Sequence, residues 1–314
     1  MDGHFLACPA KQPGNQDAFT SRIASLNTLA TRQAHDLAWA VNSPSLLSSH
    51  ESAPHTEHPR IDINAINASH LSAFLAAGRI DRVGRYFERL ISYWLHHVRQ
   101  VKVVAESLSI RQHKRTIGEI DFLFHDELQR LTHMEIAVKF YLFSPDHVAF
   151  DSHYLGPNAA DTLDRKVDRL LHHQLPRSET LFPEVEIRQP FLKGRIFYQP
   201  AHRTSTLHHP LLSPDHLSSS WIRESQFDLM TDKPETANRQ IVFSVLQKPF
   251  WLSNELRRQL DTDLLSCSEL SDLVSKHFSD HQHCLLVAKL VFDGASYVES
   301  SRFFVVPESW PKTT

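Results

Sequence analysis

Apolar residues in "DRVGRYFERLISYWLHHV", residues 81–98, recur at Val83, Tyr86, Phe87, Leu90, Ile91, Trp94, Leu95 and Val98. Steps of three and four residues gather them on one side of a helix, so the spacing predicts an amphipathic helix with a wide buried stripe. Glu88 falls at the edge of that stripe and carries a carboxylate to the border of the core. The period then changes. Strand-like pieces occupy 102–112, 117–124 and 132–142. In the second, Ile120, Phe122 and Phe124 share one face, with Glu119, Asp121 and Leu123 on the other. In the third, Met134, Ile136, Val138 and Phe140 point inward, while His133, Glu135, Ala137, Lys139 and Tyr141 share the opposite face. The polar run "HDELQR" at 125–130 predicts the hairpin loop between them.

A second helix is predicted over "GPNAADTLDRKVDRLLHHQL", with Asn158 as its cap and Leu163, Val167, Leu170, Leu171 and Leu175 on its buried side. "VEIRQPFLKGRIFYQ" reads as one or two further strands, giving the order α-β-β-β-α-β. Helical periodicity also marks 20–42, and a Pro/Ser-rich connection follows at 42–60. Beyond the core come a turn-rich stretch at 205–220, a helical reading around 252–277, and two late strands, "CLLVAKLVF" and "RFFVVP". The chain thus divides into a helical extension and linker (1–58), an α/β core (59–204) and an α+β extension packed on the core (205–314). No internal repeat is present.

Composition narrows the chemistry. With only 8 Gly in 314 residues, the chain holds neither G-x-G-x-x-G nor G-x-x-x-x-G-K-[ST], which weighs against a glycine-rich phosphate loop. There is no G-x-S-x-G elbow for a serine nucleophile. The N-terminus lacks a basic stretch followed by an apolar one, and no run approaches 18 apolar residues, so neither a secretory signal nor a membrane span is expected. Cys8, Cys267 and Cys284 have no C-x-x-C spacing and suit a reducing cytoplasm. Of the 22 His, the run His281-Gln-His283-Cys284 could place two metal ligands on one strand face, but no matching second pair accompanies it.

Net charge is −3, unevenly spread. Residues 79–115 carry nine Lys and Arg against three acids, a balance that suits a phosphate-backbone partner and equally a solvated helix surface. Nothing in the sequence bears on a protein partner or on self-association.

The polar face of the predicted hairpin is the strongest chemical signal. Asp121, Glu135 and Lys139 put two carboxylates and an ammonium on adjacent strands, a set that suits a hard divalent cation and a phosphoryl group. An exposed strand face also carries Glu and Lys as a simple cross-strand ion pair. What goes beyond that is the order: an acid-bearing helix, "GEID", then "EIAVK", then a charged helix.

That order resembles the PD-(D/E)XK, or restriction-endonuclease-like, nuclease superfamily over about residues 80–200. More closely, "GRYFERL", "TIGEIDFLF", "MEIAVKFYL", "LGPN", "DRLLHHQL", "KGRIFY" and "RFFVVPESWP" resemble an uncharacterised bacterial family catalogued as domain of unknown function 1853, from about residue 30 to the end. The superfamily resemblance implies an α/β fold with a mixed central sheet flanked by helices. It also implies a Mg²⁺ or Mn²⁺ cofactor and a nucleic-acid substrate. By position, Asp121 and Glu135 would be metal ligands, Lys139 the catalytic lysine, and Glu88 the acid of the first core helix. Glu119, Lys166 and Gln174 would be accessory, although a solvated helix face is the expectation for the last two.

The superfamily pattern expects an acid two residues before the lysine, where this chain has Ala137. Glu135 stands four before, about 6–7 Å further along the strand. Two functions therefore fit: phosphodiester hydrolysis, and an inactive relative that binds nucleic acid or a protein.

Overall fold

The computed structural model describes residues 16–49, 58–112, 115–146, 152–202, 209–227 and 240–311. Cys8, much of the 42–60 connection and the start of the turn-rich stretch lie outside them. Three helices, α1 (Gln16–Asn42), α2 (Ala68–Ala76) and α3 (Val83–Tyr93), precede a triplet of strands: β1 (Lys102–Gln112), β2 (Arg115–His125) and β3 (Leu131–Phe143). Then follow β4 (Tyr154–Leu155), the short helices α4 (Leu163–Asp168) and α5 (Arg177–Leu181), β5 (Ile187–Tyr198), β6 (Leu217–Arg223), β7 (Ile241–Val245) and β8 (Leu256–Arg258). Helix α6 (Cys267–Asp280) and the strands β9 (Leu285–Phe292) and β10 (Ser296–Val306) complete the chain.

The ten strands among the described residues form one mixed sheet, ordered β1-β2-β3-β5-β6-β10-β9-β7, with β4 on β3 and β8 on β10. The contacts β3–β5, β5–β6 and β6–β10 are parallel; the others are antiparallel. Strands of the C-terminal third therefore continue the sheet that the core begins.

Helices cover both faces. The centre of the α3 stripe is buried as its spacing predicts, with Tyr86, Phe87, Leu90 and Ile91 packed beside α1 and α2 on Met134, Ile136, Val138 and Phe140 of β3, whereas Val83 is half-buried and Val98 exposed. Opposite, Leu163, Val167 and Leu170 pack on Tyr141, Phe143, Leu192 and Ile196. Further along, α6 buries Leu270, Val274 and Phe278 against β9 and β10. On β2, Phe122 and Phe124 join the main core, but Ile120 packs with Leu123 around Val185, contrary to simple alternation. The β1–β2 pair has two register shifts, and such bulges twist a strand and re-aim its side chains.

Three local readings change. Thr162, not Asn158, caps α4, its side chain accepting Arg165 N–H, because the closed turn Gly156–Asp161 delays the helix. The 252–277 stretch is helical only from Cys267. Before it, Arg257 and Arg258 tie Asp261 into a turn, and these local ion pairs outweigh the helical spacing. Helix α6 then opens on a reciprocal Ser266–Glu269 capping box, a start signal legible in "SCSE". Strands β4, β6, β7 and β8 were not anticipated, and β6 begins inside the 205–220 stretch read as turn-rich.

Candidate functional site

The antiparallel β2–β3 ladder runs only from His125↔Leu131 to Phe122↔Met134. Beyond it β2 leaves β3, and the carboxylate of Asp121 takes over, its Oδ2 accepting the Ile136 N–H at 2.8 Å. Pairing of β3 with β4 resumes only at Leu142, so among the described residues β3 has an open edge from about 135 to 141 on that side. On its other side β3 is parallel to β5 throughout, with Lys139 opposite Gly194.

Glu135 is 1% exposed, and both its oxygens are held. His133 Nε2 lies 2.9 Å from Oε1, and Gln174 Nε2 donates to Oε2. His133 is anchored in turn through Nδ1 to Ser178 Oγ at 2.8 Å, which also accepts from Arg188 Nε. Gln174 lies in the π-helical turn Arg169–Gln174 that continues α4, and its Oε1 accepts from Lys166 Nζ at 3.0 Å. Widened turns of this kind recur at functional sites. The expectation that Lys166 and Gln174 face solvent is therefore overturned: both are half-buried, turned inward onto Glu135.

Electrostatics bind these groups together. Burial, and next the charge of Glu135, push the Asp121 carboxyl up from 3.8 to about 7; the Ile136 hydrogen bond and Lys166 oppose the shift, and Glu88 adds to it. Burial also raises Glu88, followed by the charge of Glu119, although the Glu88 residue is exposed as a whole. Lys166 is lowered by burial and by Lys139, against the pull of Asp121, Glu135 and Asp161. Charge influences thus link Glu119 to Glu88, Glu88 and Lys166 to Asp121, and Lys139 to Lys166, while Arg177 holds the Glu119 carbonyl.

The contacts of the two lysines differ from the sequence expectation. Lys139 Nζ is ion-paired with Asp161, whose Oδ2 also accepts from Tyr141 Oη. Lys166 is the cation whose field reaches both Asp121 and Glu135. Asp161 and the His133–Ser178 anchor were missed. Alternation did put His133 on the face of Glu135, but Ser178 and Asp161 lie 45 and 22 residues from the side chains they hold, beyond what spacing marks.

Among the described residues, no group of three or more His, Cys, Asp or Glu is disposed to hold a metal ion. The C-terminal histidines do cluster, His277, His281 and His283 meeting at ring separations of 4.5–5.2 Å. Cys284 is not among them: its thiol donates to Pro157 O, and burial pushes it up to about 12. Of the basic 79–115 segment, Arg79 and Arg85 share Asp81, Arg99 holds Glu127 and Arg89 donates to Phe74 O.

A carboxyl that holds its proton more tightly when folded stabilises the fold at low pH and loses that contribution as pH rises. In metal-free buffer the wild type should therefore lose stability between about pH 4 and pH 7, the window of the Asp121 shift. In Asp121→Asn, whose amide oxygen can still accept the Ile136 N–H, the fall should flatten. Urea midpoints across this range check it; parallel curves for the two proteins would refute it.

The sequence model of a family described as a domain of unknown function, DUF1853, matches residues 35–306. No curated protein and no solved structure matches the chain. No helix among the described residues is long and apolar enough to cross a membrane.

Proposed function

Starting from a chain that belongs to the DUF1853 family, we propose a metal-dependent phosphodiesterase acting on DNA or RNA, built on a restriction-endonuclease-like core. The observation that carries this reading is the pair of half-buried Asp121 and fully buried Glu135 at the open edge of β3, where burial and then the charge of Glu135 raise Asp121 to about 7. Two carboxylates forced together in this way are relieved by a divalent cation. The order α3-β1-β2-β3-α4-β5 with β3 and β5 parallel supports the same core.

The donor set fits Mg²⁺ or Mn²⁺, which commonly take one or two carboxylates and complete their shell with water and substrate oxygens. It does not fit an ion caged by protein alone. Asp121 and Glu135 would hold the cation, with Glu88 adding charge from α3. When bound, such an ion lowers the pKa of a water and neutralises charge on the phosphoryl group. His133 and Gln174 fix the orientation of Glu135, the service that outer hydrogen bonds give to metal-binding carboxylates. Lys166 sets an ammonium beside both carboxylates, where it can stabilise charge on a phosphate.

Calorimetric titration of Mn²⁺ should give saturable binding to the wild type, strengthening as pH rises through about 7, and none to Asp121→Asn. Hydrolysis of oligonucleotides should fall at least about 100-fold in that variant, near 2.7 kcal/mol of barrier. Absence of Mn²⁺ binding by the wild type, with and without an oligonucleotide, would sink the proposal.

Ala137 favours a second reading, an inactive fold retained to bind nucleic acid or a protein. On that reading Lys166→Ala leaves every phenotype of the protein intact; on the first it abolishes hydrolysis while Mn²⁺ still binds.

A further inference from the structure

A cavity of 490 Å³ opens on the unpaired edge of β3, along the strand from Glu135. Its walls come from four places: the start of α3, β3 from Val138 to Tyr141, the 156–161 turn and the segment carrying Lys248 and Trp251. Three cations face it, Arg82, Lys139 and Lys248, against a single carboxylate, Asp161, which is already paired with Lys139. Among the described residues neither Arg82 nor Lys248 has a carboxylate partner. Arg82 stands at the N-cap of α3, where no side chain caps the first-turn N–H groups. Lys248 Nζ lies 4.9 Å from the centre of the Trp251 ring. The rest of the lining includes Val138 and Phe140, so the charged rim surrounds an apolar floor.

Two uncompensated cations converging on a cavity of this size call for an anion with an apolar body. Pockets for small organic ligands span about 300–1,000 Å³. The neighbourhood says which anion. Lys139 lines the cavity, its charge reaches Lys166, and Lys166 bonds Gln174, which in turn holds Glu135. From Lys139 back to Glu135 is four residues of strand, about 13 Å.

We infer that this cavity holds the terminal nucleotide of a nucleic-acid strand, its phosphomonoester between Arg82 and Lys248 and its sugar and base on Val138 and Phe140. The inference rests on the phosphodiesterase reading and deepens it, for it makes the protein act near strand ends. A terminal phosphate carries nearly two charges, against one on an internal phosphodiester, and so matches the two unpaired cations best.

The test measures binding of a fluorescent ten-nucleotide single strand bearing a phosphate at one end, at either end in turn, or hydroxyls at both, with Ca²⁺ present. One phosphorylated form should bind at least tenfold more tightly than the hydroxyl form, an advantage that Arg82→Gln and Lys248→Gln each reduce and their combination removes. Thermal melts should match the wild type, since Arg82 is an exposed residue and no ion pair of Lys248 is broken. Equal binding of all three strands overturns the inference, as does an advantage that survives the double variant. A nucleoside monophosphate competing at the same affinity as the phosphorylated strand overturns the strand end in favour of a free nucleotide. Mn²⁺ titration of the double variant separates the two proposals. Retained metal binding with lost phosphate discrimination isolates the cavity, whereas a wild type that discriminates phosphate without binding Mn²⁺ removes the phosphodiesterase and leaves the pocket standing.

Discussion

Gly194→Ala is expected to cost at least about 3 kcal/mol, a large share of the stability of an ordinary domain. A Cβ at this position would stand 1.9 Å from Lys139 O and 2.9 Å from Lys139 C, and Gly194 holds a φ of +156° that side-chain-bearing residues rarely adopt. Those obstacles are backbone atoms in the middle of the sheet, so no rotamer change relieves the clash. Either β5 retreats from β3 or the register breaks, and both displace Lys139 and the edge that carries Glu135. Denaturation midpoints would read the loss directly. Gly84→Ala provides the control: nothing lies within 4 Å of the added methyl, and a helical Gly→Ala change gains up to about 1 kcal/mol. A Gly194→Ala protein with the wild-type midpoint would mean that the close β3–β5 approach is absent in solution.

Arg302→Ala should be comparably damaging, by about 3–5 kcal/mol. Its side chain is fully buried on β10, with Nε 2.6 Å from Glu299 Oε1 and Nη2 2.7 Å from Oε2. It also donates to Trp251 O and Ser253 O, both at 2.6 Å. Removing the cation strands a buried carboxylate and two carbonyls together. Nearby, Asp36 of α1 accepts from Tyr86 Oη, Ser253 N–H and Ser253 Oγ, and Arg32 is paired with Glu255. These contacts fasten α1, α3 and β10 to the segment that bears Trp251. A double-mutant cycle with Glu299→Gln measures the coupling. The double variant Arg302→Met/Glu299→Gln should recover much of the loss, because an apolar replacement leaves no orphaned charge. Additive single losses would show that the pair is not coupled.

Much of the site was legible locally. Helix, strand and their periods are written in nearest neighbours along the chain, so α3, β1 to β3, β5 and the two last strands follow from where apolar residues recur. Asp121 and Glu135 could be singled out because alternation puts both on the polar face of a hairpin whose loop length fixes which residues oppose. The sequence misplaced what acts sideways. Lys139 looked like the amine of the carboxylate pair because it shares their face, yet its ammonium goes to Asp161 across a turn. Lys166 and Gln174 looked solvated because both are long polar side chains on a charged helix. The helix continues as a π turn, and Lys166 bonds Gln174 while Gln174 bonds the buried Glu135.

By itself, then, the sequence determined the core helix α3, strands β1 to β3, β5 and the last two strands, the buried side of α3 and β3, and the carboxylate pair as a candidate, all of which depend on residues a few positions apart. The tertiary structure decided what depends on contacts between distant segments. It set β3 and β5 in parallel with Gly194 against Lys139, split β2 from β3 at Asp121, and joined the C-terminal strands to the same sheet. It also drew Arg82, Lys139 and Lys248 around one cavity. The physical reason is range: local periodicity is fixed by backbone geometry that every residue shares, whereas the partner of a buried charge is whichever group the completed packing brings within reach.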